Sequence, residues 1–426
     1  MQPRTSFIHI QNKKTFTHPH KKNISMHTFR HLLAAALLLL SVSLLCAQGL
    51  MGEVTKQGAG NPSLGVTSFS GTAGARTALE GTLKRCDWFS VLPEARASSA
   101  AIKVEASYKS QPKHAYSLRV TPAGMAPLTL SGEDETLEAA AGKAVDALLK
   151  ALFNVPALCS APIAYALHGQ KNMKELFTCT LAGGKARRLT HNNAISTEPS
   201  WGHAGALVYT LNANNALSVV LVDIARNRQR VVSKAKGLNS SAALSRDGRY
   251  VAIPLSLGQQ IDLYLIDLKD GSRRQLTKDR NVESSPVFSP DCRSICYVSD
   301  KSGRPQLYIM SLADGAVRRL QLGGSECVSP DWSAVSNKLC FAQRVASGKY
   351  VVSVLDLNVQ DAAPEVVTDA AGNWEAPSWA PDGRHIVCTR QSGGKQDLYV
   401  VDSRYRAFHQ LTSGSRVSLP AWAPAR

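Results

Sequence analysis

Residues 377–402 read PSWAPDGRHIVCTRQSGGKQDLYVVD, a stretch that alternates short apolar runs with tight polar turns. Pro377-Ser378-Trp379 forms the first run, and Pro381-Asp382-Gly383 follows it as a turn. Proline presets φ, aspartate accepts hydrogen bonds from its own turn, and glycine takes the left-handed position. Residues 387–389 and 398–402 have the composition of β-strands. The stretch therefore predicts a series of strands joined by turns.

The same pattern recurs along the chain. The third residue of each Pro-x-aromatic triplet, or of its weaker copies, serves as an anchor, and successive anchors lie 43 to 47 residues apart: Trp201, Leu244, Phe288, Trp332, Trp379 and Trp422. Strand-like runs give a second register with similar spacing, ending at Thr180, Asp223, Asp267, Ser311, Asp356 and Asp402. A third consists of runs such as 273–277 (RRQLT). Four strands in about 44 residues is the size of one propeller blade.

The two ends of the repeat region complement each other. The first unit opens at Ile163 with what matches a second strand, whereas the sequence ends after Trp422 with a lone first strand. Joining the two completes a sixth blade and removes exposed sheet edges. An open β-sandwich array is the alternative, and it leaves the last strand unexplained.

The residues before the repeats predict a small α/β domain. Residues 64–69 and 116–120 resemble strands, and residues 77–86 and 134–153 resemble helices. The segment 153–162, which contains two prolines, is the expected linker. The predicted fold is thus an N-terminal α/β domain (50–157) followed by a six-bladed β-propeller (158–426).

A leader is expected over residues 1–49. Residues 32–45 are almost wholly apolar, follow Arg30 and precede the small-x-small triplet 47–49, as in a secretory signal peptide. Translation is expected to start at Met26. Lipidation of Cys46 is the alternative to ordinary cleavage. No other stretch is apolar and long enough to span a membrane, so we expect a soluble product outside the cytoplasm.

The chain is basic, with 49 Lys and Arg against 32 Asp and Glu and a net charge of +17. Without the leader, which carries six of these bases and no acid, the charge is +11. The bases form no long run and no cluster interleaved with aromatic residues, which disfavours nucleic-acid binding. The positive charge is therefore explained either by an anionic partner or by a basic surface that contacts only solvent.

Eight cysteines follow the leader. Cys296, Cys340 and Cys388 fall at one equivalent repeat position, which indicates buried structural thiols on three blades. Cys292 and Cys296 flank a turn, where a bridge or a metal pair is the alternative.

Two classes of enzyme contain comparable propellers. A propeller-bearing serine peptidase needs a Gly-x-Ser-x-Gly motif with a later Asp and His, and the chain lacks that motif. A metal-dependent lactonase-type propeller needs acidic side chains around a central ion. Four glutamates precede first strands and are expected to be either rim residues or such ligands: Glu198, Glu283, Glu326 and Glu375.

The chain resembles the TolB family of the Tol-Pal envelope system over residues 52 to 426. Residues 64–69 and 83–89 resemble the family's opening strand and its "DL-x-x-SG-x-F" helix end, with Cys86-Asp87 in place of Ser-Gly. Residues 141–165 resemble its last helix and "TRIAY" propeller entry, with Pro162 in place of the basic residue. Residues 96–118 match poorly. The repeats resemble the family's propeller.

The resemblance implies a non-catalytic periplasmic scaffold without a cofactor, which supports outer-membrane integrity, protein transport and constriction at cell division. A Pal-type lipoprotein is expected on the loops that enter the first strands (192–198, 282–285, 325–327, 373–375 and 416–418). A TolA-type inner-membrane protein is expected at the N-terminal arm. The implied contact residues are Glu53, Val54 and Thr55 in the arm and Asn192, Thr197, Glu198, Glu283, Ser284, Glu326, Asn373 and Glu375 in the loops. A propeller that binds an anionic small ligand or cell-wall fragment is the alternative.

Overall fold

The computed structural model describes residues 60–202, 205–257, 260–369, 371–414 and 416–424, without the side chain of Lys171. The predicted leader, Cys46 and the arm residues Glu53, Val54 and Thr55 lie outside these ranges. No helix in the described ranges is long and apolar enough to cross a bilayer.

The first part of the described chain is a five-stranded sheet with two helices. Its elements are β1 (Ser63–Ser70), α1 (Ala73–Arg85), β2 (Ser90–Val91), β3 (Ile102–Lys109), β4 (His114–Pro122), β5 (Leu128–Asp134) and α2 (Leu137–Phe153). The strand order is β2-β1-β3-β4-β5, with β1 parallel to both of its neighbours. Thr72 and Thr136 cap the two helices by accepting from the N–H groups of Ala75 and Ala139. The segment that matched the family poorly contributes β3 and the start of β4.

The second part consists of antiparallel four-stranded units, here called blades. Blade 1 contains β6 (Ile163–His168), β7 (Lys174–Cys179) and β8 (Arg187–Arg188); blade 2 contains β9 (Ile195–Trp201), β10 (Ala206–Ala213), β11 (Ala216–Asp223) and β12 (Arg228–Ser233). Blade 3 contains β13 (Ala243–Leu244), β14 (Tyr250–Leu255), β15 (Asp262–Asp267) and β16 (Arg273–Gln275); blade 4 contains β17 (Glu283–Phe288), β18 (Ser294–Ser299), β19 (Gln306–Ser311) and β20 (Val317–Arg319). Blade 5 contains β21 (Cys327–Trp332), β22 (Lys338–Arg344), β23 (Tyr350–Asp356) and β24 (Glu365–Val366); blade 6 contains β25 (Asn373–Trp379), β26 (His385–Ser392), β27 (Lys395–Asp402) and β28 (Ala407–Gln410).

The last strand, β29 (Val417–Trp422), completes blade 1. It pairs antiparallel with β6, from Val417 opposite Leu167 to Trp422 opposite Ile163, as the sequence predicted. The inner strands β9, β13, β17, β21, β25 and β29 contact one another in a closed circuit. The prediction of a small α/β domain followed by a β-propeller is confirmed.

The sequence anchors form the packing between blades. All six are buried, and each belongs to a different hydrophobic cluster. Trp201 of blade 2, for example, packs with Ala164 and Leu176 of blade 1. The repeat of about 44 residues therefore marks one interblade core per blade, which explains why the anchors are large and apolar.

The third sequence register also has a structural cause. The hydroxyl Oγ1 atoms of Thr190, Thr277, Thr368 and Thr412 each accept a hydrogen bond of 2.9 Å from a backbone N–H on the third strand of their blade. This bond fixes the chain where it leaves the blade. In these blades the threonine at the end of the RRQLT-type run supplies the acceptor.

The α/β part packs against blades 1 and 6 through one continuous core. Leu83 and Leu149 share a hydrophobic cluster with Val400 and Trp422 of the propeller. Beside this core, the guanidinium of Arg85 donates to the carbonyls of Leu181 and Ala182, both at 2.6 Å. The two parts are therefore joined by apolar packing and by direct hydrogen bonds.

A buried polar cluster, here called the junction cluster, lies at the same contact. Arg384 forms a bidentate pair with Asp402 at 2.6 and 3.1 Å and donates to the carbonyl of Asp87. Trp88 donates to Asp382, and its ring lies 4.7 Å from the Arg384 guanidinium. Burial alone would raise the pKa values of Asp382 and Asp402. His385 nevertheless lowers the pKa of Asp382 below its usual range, and Arg384 and His385 do the same for Asp402.

All eight cysteines within the described ranges are free thiols. Cys296, Cys340 and Cys388 are fully buried on β18, β22 and β26, and burial raises the pKa of each thiol. Cys292 and Cys296 are not bridged. The three equivalent cysteines thus occupy the interior of their blades, as the repeat position indicated.

Candidate functional site

The loops that precede the inner strands lie together at one end of the blades. We call this end the entry face and define it by residues 192–198, 282–285, 325–327, 373–375 and 416–418. The junction cluster lies at the opposite end, because Asp382 and Arg384 belong to the turn that joins β25 to β26, and Asp402 is the last residue of β27, before the turn to β28. The junction cluster, which holds the α/β part, therefore does not cover the entry face.

A central channel runs beside the inner strands and encloses a cavity of about 250 Å³. At the equivalent position of every inner strand or its approach, a residue other than glycine adopts φ between 48° and 55°: Glu198, Ser241, Ser285, Ser329, Ala376 and Leu419. All except Ser241 precede a proline. The left-handed conformation costs an L-residue about 1 to 2 kcal/mol. The surrounding fold therefore imposes this conformation on the residues of the channel wall, which we call the circle of strained residues.

Two partly buried charged side chains, Arg246 of blade 3 and Asp331 of blade 5, also line the channel. Arg246 donates to the carbonyl of Trp332 at 3.0 Å, and Asp331 accepts from the N–H of Trp379 at 2.7 Å. Burial raises the pKa of Asp331 and lowers that of Arg246, and each charge moderates the shift of the other. These groups connect blades 3, 5 and 6.

Glu198 links two blades at the channel. Its carboxylate accepts from Thr210 Oγ1 and from both the N–H and the hydroxyl of Ser241, each at 2.7 Å. Ser241 lies at the equivalent strained position of the next blade. Glu198 is therefore held in place by three donors, and it is half-buried rather than free at the rim.

Asn192, at the start of the first entry loop, is also anchored. Its side-chain amide donates to Ser196 Oγ and to Tyr209 Oη, both at 2.9 Å. Thr197 is half-buried on β9 between Ser196 and Glu198. Asn192 is thus held by its own hydrogen bonds, and Glu198 by a separate set.

Glu326, Asn373 and Glu375 are brought together by Tyr350, which the sequence did not suggest. The Tyr350 hydroxyl donates to Glu326 at 2.6 Å, and its N–H donates to Asn373 at 2.9 Å. Arg344 donates to Glu326 at 2.7 Å, and Asn373 donates to Glu375. We call these five residues the Tyr350 cluster; hydrogen bonds from Tyr350 and Arg344 lower the pKa of Glu326.

Glu283 was expected to contact a partner, and the structure places its side chain in the interior. Its side chain is fully buried and accepts from Thr277 Oγ1 at 3.1 Å and from Ser299 Oγ at 3.0 Å. Burial raises the pKa of Glu283 to about 7 despite these hydrogen bonds. Ser284, the next residue, is half-buried at the entry face.

The four glutamates do not form one acidic circle. They lie three, four, five and six residues before their anchors, in the order Glu198, Glu375, Glu283 and Glu326. Because side chains alternate along a strand, these positions point in different directions. Within the described parts of the chain, no group of three or more His, Cys, Asp or Glu side chains is placed to hold a metal ion.

Comparison with known proteins agrees with this architecture. The family model described as "TolB beta propeller domain" matches residues 203–426. The chain is 37% identical over 68 residues to the Tol-Pal system protein TolB of Francisella tularensis subsp. tularensis (strain WY96-3418), a match that covers 16% of this chain and 15% of that protein. It is 35% identical over 79 residues to the Tol-Pal system protein TolB of Azoarcus sp. (strain BH72), which covers 18% of each.

These matched stretches span less than a fifth of the length of either relative. A solved structure of TolB from Acinetobacter baumannii is similar with a TM-score of 0.75 at 21% identity, covering 85% of this chain and 97% of that chain. At this identity the likeness shows the fold, which includes both the α/β part and the propeller.

Proposed function

The chain belongs to the TolB β-propeller family, and from this premise we propose that it is a non-catalytic scaffold of a Tol-Pal envelope system. In this role the entry face docks a Pal-type, peptidoglycan-associated lipoprotein. The observation that supports the proposal is the division of the propeller into two ends. One end fixes the α/β part, and the other presents ordered polar groups that the junction leaves uncovered.

The entry face is suited to docking because its side chains are already fixed. Glu198 and Asn192 are held by neighbouring strands, and Tyr350 organises its cluster across blades 5 and 6. A partner that binds such a surface loses little side-chain entropy from the scaffold. The partly exposed carboxylates of Glu326 and Glu375 are the groups we propose as contacts, together with Asn192, Thr197, Glu198, Ser284 and Asn373.

The remainder of the proposal follows the family. The mature chain works in the periplasm after loss of the leader (1–49), with an α/β domain over 50–157 and the propeller over 158–426. Its N-terminal arm, including Glu53, Val54 and Thr55, engages a TolA-type inner-membrane protein. The link between the two membranes supports outer-membrane integrity and constriction at cell division.

A calorimetric titration of the mature chain with the soluble Pal-type domain of the same organism tests docking. We expect saturable binding that the double variant Glu326→Lys/Glu375→Lys weakens at least about tenfold, because central charge contacts commonly contribute this much. The matched control is Asp270→Lys/Asp314→Lys, which makes the same charge change on exposed turns at the opposite end. Equal loss in both variants, or no binding by the parent chain, contradicts the proposal.

A further inference from the structure

Arg390, on the second strand of blade 6, has no charged counterpart in the other blades. On each second strand one residue pairs with the sequence anchor, as Ile386 pairs with Trp379, and Arg390 lies four residues beyond Ile386. The same pairings identify the equivalent residues of blades 1 to 5, which are uncharged: Leu167, Leu211, Leu255, Ser299 and Gln343. Arg390 is therefore a feature of blade 6 and not of the repeat.

Three aromatic rings hold the guanidinium of Arg390 without supplying the acceptors that its N–H groups require. Its Cζ atom lies 4.9 Å from the ring centre of Trp374 and 5.3 Å from those of Tyr399 and Phe408. Nε is buried and has no hydrogen-bond partner among the described residues. Nη2 lies 3.8 Å from the carboxylate of Asp369, beyond hydrogen-bond distance. A largely buried guanidinium with unused donors is suited to an added anion.

A pocket of about 270 Å³ opens beside this guanidinium, and we call it the Arg390 pocket. Its charged and polar lining groups are Arg390, Lys395, Asp397, Ser392, Gln410 and Ser413. Ser392, Lys395 and Ser413 are exposed, so the pocket is accessible from solvent.

The Asp397 carboxylate in the pocket wall serves the blade itself. It accepts from Gln410 of the fourth strand at 3.2 Å. At the equivalent position of blade 3, Asp262 accepts from Gln275 at 3.0 Å, although that blade has Leu255 in place of the arginine. This bond therefore joins the third and fourth strands whether or not an arginine is present.

The Arg390 pocket lies at the entry face, next to the Tyr350 cluster. The hairpin that joins β26 to β27 is at the end where β25 begins, because Asn373 of the cluster pairs with Gln391. On the other arm of the hairpin, Gln396 forms a β-bridge with Arg416 of an entry-face loop. The entry face thus presents carboxylates in the Tyr350 cluster and cations in the adjoining pocket.

We propose that the Arg390 pocket receives an Asp or Glu side chain of the protein that docks on the entry face, an inference that rests on the docking proposed above. A carboxylate matches the planar fork of a guanidinium and accepts hydrogen bonds from it, and Lys395 supplies a second positive charge at the rim. The aromatic rings already fix the guanidinium, so binding orders little of the scaffold. The partner is expected to place an acid opposite blade 6.

Calorimetric titration with the soluble Pal-type domain tests the pocket as part of the docking surface. Arg390→Met, which keeps an apolar chain between the rings, is expected to weaken binding at least about tenfold. Lys395→Met changes an exposed residue and is expected to weaken binding up to about fivefold. Lys269→Met, the matched control on an exposed turn at the opposite end, leaves the affinity unchanged.

The acidic residues of the Pal-type domain, changed one at a time to their amides, identify the occupant. One change is expected to weaken binding to the parent chain and to have little further effect on Arg390→Met, since contacting residues are not additive. Additive losses for every acid overturn the inference. So does unchanged affinity in Arg390→Met and Lys395→Met, and the docking proposal then stands if Glu326→Lys/Glu375→Lys still weakens binding.

NMR of the mature chain with isotope-labelled arginine tests the pocket without the partner. Glutarate, which carries the carboxylate of an acidic side chain, is expected to shift the Nε resonance of Arg390 saturably at millimolar concentration. Its neutral analogue glutaramide is expected to leave that resonance unchanged. Equal shifts with both compounds, or no saturable shift, overturn the carboxylate site whether or not the Pal-type domain binds. A glutarate shift together with partner binding that ignores Arg390 assigns the pocket to a free carboxylate and overturns the partner side chain as its occupant.

Discussion

The two ends of the propeller use polar side chains in opposite ways. At the junction cluster, Arg384, Asp382 and Asp402 are buried, and their hydrogen bonds hold the α/β part of the same chain. At the entry face, Glu326 and Arg344 pair while remaining partly exposed. The difference indicates that the junction groups serve assembly of the chain, whereas the entry-face groups remain available to a second molecule.

The largest effect is expected from breaking the junction. Arg384→Met leaves Asp402 buried without its charge partner and removes the donor to Asp87. Loss of one member of a buried ion pair costs about 3 to 5 kcal/mol. Chemical denaturation is expected to show this loss of unfolding free energy.

Arg344→Met is the matched change at the entry face. Its pair with Glu326 is partly exposed, so solvent screening limits the loss to less than about 1 kcal/mol. Equal destabilisation by the two variants contradicts the division between assembly and docking ends.

A smaller effect is expected from pH, and it has opposite signs in the two regions. The pKa values of Asp382 and Asp402 are lowered, so their stabilising contribution exists above the unfolded pKa near 4 and is lost as pH falls through the folded values. The pKa of Glu283 is raised to about 7, so the folded chain binds more protons than the unfolded chain. Its ionisation therefore lowers stability as pH rises from about 4.5 to 7.

Glu283→Gln is expected to remove that pH-dependent cost and to raise the unfolding free energy at pH 8 by on the order of 2 kcal/mol relative to the parent chain. The measurement is denaturant unfolding at pH 5 and pH 8. A parent chain whose stability rises between these values, with no change of slope in the variant, contradicts the assignment of Glu283 as a buried, proton-linked group.

The smallest effect concerns the circle of strained residues. Ala376 has φ 49°, and glycine adopts this region without a Cβ penalty. Ala376→Gly is expected to stabilise the chain by up to about 1 kcal/mol, since relief of strain is partly offset by the entropy of the unfolded glycine. Thermal unfolding checks this, and a clear destabilisation contradicts the strain.

The propeller was predictable because its anchors are large apolar residues at a regular spacing. The α/β helices were also predicted near their observed positions, because apolar periodicity marks 77–86 and 134–153. The side-chain directions of the entry-face glutamates were not predicted. The number of residues between a glutamate and its anchor, which can be read from the sequence, distinguishes Glu283 from Glu326. The recurrence of a glutamate before several first strands does not.

Other features depend on tertiary contacts that spacing does not encode. Tyr350 reaches Glu326 from a different strand, and Asp382 resembles other turn aspartates until Trp88 and His385 are placed beside it. Such pairs are set by packing between distant segments and appear only in the folded chain.

Hydrogen–deuterium exchange of the mature chain, with and without the Pal-type domain, tests the central claim most directly. We predict slower exchange in the entry-face loops 192–198, 325–327 and 373–375, with unchanged exchange in the turns around Asp382 and Asp402. Slower exchange confined to the junction turns, or no change in the entry-face loops under saturating conditions, contradicts the account.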